Sequence, residues 1–375
     1  MAPCAGMPLD VPSGPDNLPC NPFPNVMPNH LFAACLTFLL AALVSARAEG
    51  WTFAEGTNAR GPGRRVEVLL EGRPVARFIH GEGQFKPYLH LLGEAGELLT
   101  NPGMDFSGKP TGMFPHHRGI FIGWNKITSN LGSFDLWHFN NGGRMEVLRF
   151  DKLEGGKDSA TLEATIAWRA GKKDESGSDL LLTETRTLKF SRPAPGSTQV
   201  DARFSLKAAR ALQLGGDRQH AGIHFRAANE VSLRAKETSY VSSPENKETK
   251  GRDWTPEPPK KGKDGQPVKE EEPPPKGELN WCRLLFPIGE RWYAATELNA
   301  PANPSGELSW RDYGRFGFFF KRRLAAGETL DVNYRFQLDA VAKPAQGTQP
   351  SAEQTTAARA QAEARFQAFA KSFPR

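Results

Sequence analysis

Short alternations of apolar and polar residues, each closed by a turn cluster, run through most of this chain, and few folds accommodate that rhythm. Val66-Glu67-Val68-Leu69-Leu70 and Val75-Ala76-Arg77-Phe78-Ile79 flank Glu71-Gly72-Arg73-Pro74, a hairpin with glycine in its turn. The same period predicts strands at 85–92, 119–127, 144–152, 160–169, 179–190, 198–207, 221–226, 231–236, 280–286, 291–297, 315–321 and 329–338. Turns such as Glu154-Gly155-Gly156-Lys157-Asp158 separate them, and no helical period intervenes. This pattern predicts an all-β fold, a large antiparallel β-sandwich of supersandwich type over residues 51–340.

Two segments depart from the rhythm. Residues 250–277 hold Pro256-Glu257-Pro258-Pro259-Lys260-Lys261 and Glu270-Glu271-Glu272-Pro273-Pro274-Pro275-Lys276, with too little apolar surface to fold alone, and read as a solvated insert between strands. Residues 351–373 read as the one C-terminal helix. Ser351 and Gln354 have the spacing of a capping box, and Phe366, Phe369 and Phe373 recur at helical spacing, facing the sheet.

The start of the chain points to export. The apolar run from Leu31 to Val44 is short for a spanning helix and is followed by Ala46-Arg47-Ala48, the small-x-small form a signal peptidase cuts. Residues 1–48 are therefore read as a signal region, with the signal peptide at 27–48 and a mature start at Glu49. The protein is expected to be secreted or periplasmic, with no membrane span in the mature chain. Cys4, Cys20 and Cys35 precede the cut and leave Cys282 alone, so the fold must rest on its core rather than on a disulfide. The net charge of +6 is spread without a basic stripe interleaved with aromatics, which argues against nucleic acid as a partner.

Four clusters carry the candidate chemistry. The first is Pro115-His116-His117-Arg118-Gly119, with Asp135-Leu136-Trp137-His138 nearby. Adjacent strand residues face opposite ways, so His116 and His117 can meet one ligand only if the backbone turns, and Pro115 permits that. No H-x-H, H-E-x-x-H or C-x-x-C spacing is present, so no metal and no cofactor are assigned. The second, Glu184-Thr185-Arg186, places a carboxylate and a guanidinium on one strand face, either as a ligand-hydroxyl acceptor or base, or as a structural ion pair. In the third, Asp217-Arg218-Gln219-His220-Ala221-Gly222-Ile223-His224-Phe225-Arg226, His224 and Arg226 share a face while Ile223 and Phe225 enter the core. The fourth, Asn303 to Gly314, reads as a loop in which Trp310 either stacks on a sugar or covers the core edge, and Arg311 fixes an oxygen.

At these residues the chain resembles the secreted bacterial proteins called the PmoA family, a domain of unknown function named after methane oxygenase. The elements that carry the resemblance are Lys86-Pro87-Tyr88, Gly96, Thr100-Asn101, Pro115-His116-His117-Arg118-Gly119, Asp135-Leu136-Trp137-His138, Gly222-Ile223-His224-Phe225-Arg226 and Trp310-Arg311-Asp312-Tyr313-Gly314. Members often carry Asp-His before the Pro-His-His-Arg-Gly element, where this chain has Met113 and Phe114. The membrane oxygenase evoked by the label is built of several spanning helices, which the mature sequence lacks, so that activity is not expected. By analogy the resemblance implies a galactose-mutarotase-like sandwich with a sugar on one sheet face. The expected function is action on a sugar or other polyhydroxylated molecule, with His117, His224 and Glu184 catalytic and His116, Arg118, His138, Arg226, Trp310 and Arg311 binding substrate. The alternatives are a non-catalytic carbohydrate-binding module or a histidine-ligated metalloprotein.

Overall fold

The computed structural model describes residues 49–217, 219–243, 279–344, 347 and 349–373; the expected signal region at 1–48 and the insert at 250–277 lie outside them. Among the described residues twenty strands form three antiparallel sheets. The first runs in the order β1 (Trp51–Thr57), β2 (Arg64–Leu70), β3 (Arg73–His80), β4 (Tyr88–Leu91), β5 (Ile120–Trp124), β13 (Ala221–Arg226), β18 (Arg315–Phe319), β17 (Glu307–Arg311). The second runs β14 (Ser239–Ser243), β15 (Trp281–Ile288), β16 (Arg291–Asn299), β20 (Thr329–Val341), β11 (Ser197–Ala208), β10 (Leu180–Ser191), β9 (Ser159–Arg169), β8 (Arg144–Gly155). A small third sheet joins β19 (Arg322–Leu324), β12 (Leu212–Gly215), β6 (Lys126–Ser129) and β7 (Gly132–Phe134). The all-β sandwich expected from the alternation is therefore present.

Alternation sets the layers. Ile122 and Trp124 of β5, Ile223 and Phe225 of β13, and Phe316 and Phe318 of β18 meet Leu162, Ile166, Trp168, Leu188 and Phe190 of the second sheet in one core. The opposite, outer face of the first sheet carries a smaller cluster of Ile79, Tyr88, Phe121, Trp137 and Phe319. The β2–β3 hairpin turns on Glu71 and Gly72 alone, both at positive φ as a type I′ turn requires. The sandwich is laced along one edge, where Trp51 N–H donates to Gly156 O at 2.7 Å.

Residues 231–236, expected as a strand, instead begin with the one-turn helix α1 (Asn229–Leu233), followed by a 3₁₀ turn at Ala235–Glu237. Val231 alone of α1 is buried, and a single inward residue needs no ladder. The C-terminal helix α2 spans Ala352–Ala370. Its capping box is complete: Gln354 N–H donates to Ser351 Oγ and Ser351 N–H to Gln354 Oε1. Phe366 and Phe369 pack against Trp281, Leu298 and Ala300. No helix among the described residues is long and apolar enough to cross a membrane.

Candidate functional site

The outer face of the first sheet gathers the histidines. Pro115 and His116 form a turn in which His117 N–H donates to Phe114 O at 2.9 Å. The two adjacent imidazoles therefore face the same side, with ring centres 4.3 Å apart, as the proline allowed. Lys86, buried at the foot of the site, donates to His116 O and Trp137 O at 2.8 Å each, its Nζ 3.4 Å from the centre of the Phe121 ring. One ammonium thus ties the turn bearing His116 and His117 to the turn bearing His138. Asn101 Nδ2 holds His117 O at 2.7 Å. Among described non-glycine residues only Glu71, Phe114 and Phe139 have positive φ; the first is the hairpin turn and the other two flank the histidine turns.

Five imidazoles meet here. His117 lies 5.3 Å from His224, 5.8 Å from His220 and 4.3 Å from His116, centre to centre, while His138 lies 4.5 Å from His116 and 4.9 Å from His220. His224 is enclosed by Phe121 and Trp137. His117 and His224 are 2 % and 0 % exposed, and none of their four ring nitrogens has a hydrogen-bond partner among the described residues. Burial, reinforced by neighbouring cations and imidazoles, holds both well below the usual histidine range, and it brings His116 to about 3. These rings are neutral at pH 7, each with one donor and one acceptor nitrogen. Beside them Arg315 is fully buried. Its Nη1 donates to Ser309 Oγ at 3.1 Å, while Nε and Nη2 have no partner among the described residues.

The rim differs from the floor. His138 Nδ1 lies 2.9 Å from Asp135 Oδ2, and His220 Nδ1 lies 2.8 Å from Asp217 Oδ1. Burial, the largest single influence, raises the Asp217 carboxyl, but the bond to His220 and its charge, with the bonds from Gln219 N–H and Asn125, together outweigh it and push the group down to about 2. One ligating nitrogen from each of His116, His138 and His220 lies within 4.8 Å of the others. Phe114, 43 % exposed, covers His117 and Tyr313, and Phe85 stacks on Phe139.

Of the residues expected from sequence, His116, His117, His138 and His224 converge. Arg226 reaches this face and donates through Nη1 and Nη2 to the carbonyls of Ala227, Tyr313 and Met113, while its Nε has no partner among the described residues. Arg118 bonds Gln84 Oε1 at 2.7 Å and braces Pro115 O. Arg311, in β17, points to the same side and donates to Trp310 O at 3.1 Å. Two assignments fail on geometry. Trp310 is one residue out of phase with Arg311, faces the inter-sheet core, and stacks on Tyr240 at 4.6 Å, so it is no sugar platform. Glu184 lies fully buried on the inner face of β10, bonded to Arg186 Nε and Nη2 and to Trp168 Nε1 at 2.7 Å, so it is the structural ion pair and not a base. Arg186 in turn donates to Pro87 O at 3.1 Å, which steadies the segment carrying Lys86. Sequence reasoning passed over Lys86, Arg315, Tyr313 and His220 as functional residues. Only His220 carried a local signal, the Asp-x-x-His spacing it shares with His138.

A family model described as a family of unknown function (DUF6807) matches residues 65–347. The matching description does not carry the PmoA label. No curated protein matches the sequence significantly. Similar solved structures include a mutant of heparan sulfate lyase HepC from Pedobacter heparinus, 11% identical with a TM-score of 0.32, covering 79% of this chain and 36% of the lyase. A GalM/aldose epimerase homologue from C. elegans is 9% identical with a TM-score of 0.30, covering 78% of this chain and 100% of the homologue. A glycoside hydrolase family 97 enzyme from Pseudoalteromonas sp. strain K8 is 9% identical with a TM-score of 0.33, covering 72% and 34%. The chain thus spans about a third of the lyase and of the hydrolase. Those proteins are carbohydrate-active by their names, and at such scores the likeness says nothing of the chemistry here.

Proposed function

Because the chain belongs to the DUF6807 family, a family of unknown function, its role has to be read from its own site, and we propose that it is a carbohydrate-active protein that binds a sugar acid over His117 and His224 and moves a proton on it. One observation carries this reading: two buried neutral imidazoles, 5.3 Å apart, face a buried guanidinium, and six nitrogens of the three groups have no partner among the described residues. Leaving a buried polar atom unpaired costs about 1–3 kcal/mol, and sites that meet a ligand are where proteins sustain that cost.

The chemistry follows from the charges. Arg315, with no carboxylate bonded to it among the described residues, suits an anionic oxygen such as a uronate carboxylate. Each neutral imidazole can donate to one hydroxyl oxygen and accept from another, as a pyranose requires. Burial is the main cause that holds His117 and His224 down; an anion at Arg315 offsets the cationic field that adds to it, which raises their basicity and suits them to accept a proton. They act as bases first, since in the free protein neither is the imidazolium that a general acid requires. Phe114 and Tyr313 offer the apolar face for the sugar ring. A location outside the cytoplasm, in the periplasm or beyond it, belongs to the same proposal and rests on the apolar run ending in Ala46-Arg47-Ala48; a mature N-terminus at Glu49 on the exported protein tests it.

Calorimetry with galacturonate and glucuronate beside galactose and glucose tests the reading. Binding of an acid over its neutral partner, with the preference removed in Arg315→Met, is expected; equal affinity for acid and neutral sugar contradicts it. Deuterium appearing at a carbon of the bound acid in D₂O marks an enzyme, whereas binding without exchange marks a binding module.

A further inference from the structure

The rim of the site repeats one device. Asp135 Oδ1 accepts the N–H groups of Trp137 and His138 at 2.9 and 2.8 Å, and Asp217 Oδ1 accepts that of Gln219 at 2.8 Å. Each aspartate fixes its own turn and then holds Nδ1 of the histidine three residues on, at 2.9 Å for His138 and 2.8 Å for His220. Asn125 Nδ2 braces Asp217 from the other side at 2.6 Å. A carboxylate on Nδ1–H fixes the tautomer and rotation of an imidazole and turns its Nε2 lone pair outward. The two rings so fixed stand 4.9 Å apart, with His116 4.5 Å from His138.

We propose that His116, His138 and His220 bind a divalent first-row transition ion of the zinc type, with Asp135 and Asp217 orienting two of the three ligands. Three imidazole nitrogens are a borderline-soft donor set, and three protein ligands leave an open position for water or a ligand oxygen. The nitrogens, all within 4.8 Å of one another, would close to about 3.4 Å around an ion with bonds of about 2.1 Å, a movement that small tilts of three partly exposed rings supply with the aspartate bonds kept. Two outward lone pairs so close repel each other, and a cation between them reverses the sign. Lys86, the ammonium nearest the turns, is taken up by two carbonyls, whereas both carboxylates favour a cation. His116 adjoins His117 at 4.3 Å, so the ion would border the proposed sugar site without sharing ligands with it.

The test uses the full chain purified without a histidine tag, stripped with a chelator, and titrated with Zn²⁺ and, for visible absorption, Co²⁺. One equivalent per chain is expected, and a His138→Ala/His220→Ala double variant should lose it. Asp217→Asn, which keeps every imidazole, should weaken uptake by about 10–100-fold, the usual effect of losing an outer partner. Wild-type protein that takes up no stoichiometric ion overturns the proposal, as does a folded double variant that binds as tightly as wild type. If the double variant does not fold, Asp217→Asn decides, and unchanged affinity there overturns it. Arg315→Met should keep the ion while losing sugar-acid preference, so failure of one site is told apart from failure of the other.

Discussion

Glu184 and His117 are equally buried polar residues with opposite surroundings. Glu184 accepts from Arg186 and Trp168, whereas the ring nitrogens of His117 bond nothing among the described residues. Replacing Glu184 by Gln leaves the Arg186 guanidinium in the inter-sheet core without its counter-charge, and a loss of about 3–5 kcal/mol is expected in urea unfolding. His117→Ala removes two unpaired nitrogens, so its unfolding midpoint should stay close to wild type. The reverse ranking would mean that His117 is structural and that Glu184 belongs to the site. The sequence could not separate these roles, because the period that put Glu184 and Arg186 on one face does not say which face is inside.

At the scale of elements, β13 and β18 set the floor. His224 pairs with Gly317, and a Cβ at Gly317 would fall 2.1 Å from Ile223 O and 2.8 Å from His224 Cα. Gly317→Ala must therefore push β13 away, costing about 1–3 kcal/mol. It should also weaken ligand binding through the displaced His224, readable as a calorimetric loss in protein that remains folded; unchanged affinity would show that the floor need not be rigid. The Gly222–Arg226 alternation made His224 legible. Arg315 was not, since it heads the apolar run Phe316-Gly317-Phe318-Phe319 and reads as a strand end. Trp310 was misread because Glu307–Arg311 looked like a loop; as strand β17, its parity sends Arg311 outward and Trp310 inward. Lys86 was legible only as part of a resemblance, because its two carbonyl partners lie 30 and 51 residues away.

Across the whole molecule, several imidazoles are held neutral. Burial first, then neighbouring cations, brings His90 to about 3, while His116 is at about 3 and His117 and His224 lie well below the ordinary value of 6.5. Their folded values are depressed, so the unfolded chain binds protons that the folded one refuses as pH falls below 6.5. This stability is fully present above pH 6.5 and is lost progressively below it. The melting temperature should be level from pH 8 to 7 and fall between pH 6.5 and 5, a window above most carboxylate titration. A level profile down to pH 5 would place these histidines in solvent. The sandwich itself was legible from period-two patterning, and the meeting of His116, His138 and His224 was expected from the repeated imidazole–guanidinium chemistry on separate strands, whereas the place of His220 beside them was not, since separate turns and strands set it and no local spacing encodes it. The most direct test of the central claim is calorimetric affinity for a bound sugar acid in wild type and in a His117→Ala/His224→Ala double variant at pH 7.5. The buried imidazole pair predicts at least about a hundredfold loss, two hydrogen bonds at roughly 1.5 kcal/mol each, with the melting temperature within a few degrees; a folded double variant that binds as tightly as wild type would contradict it.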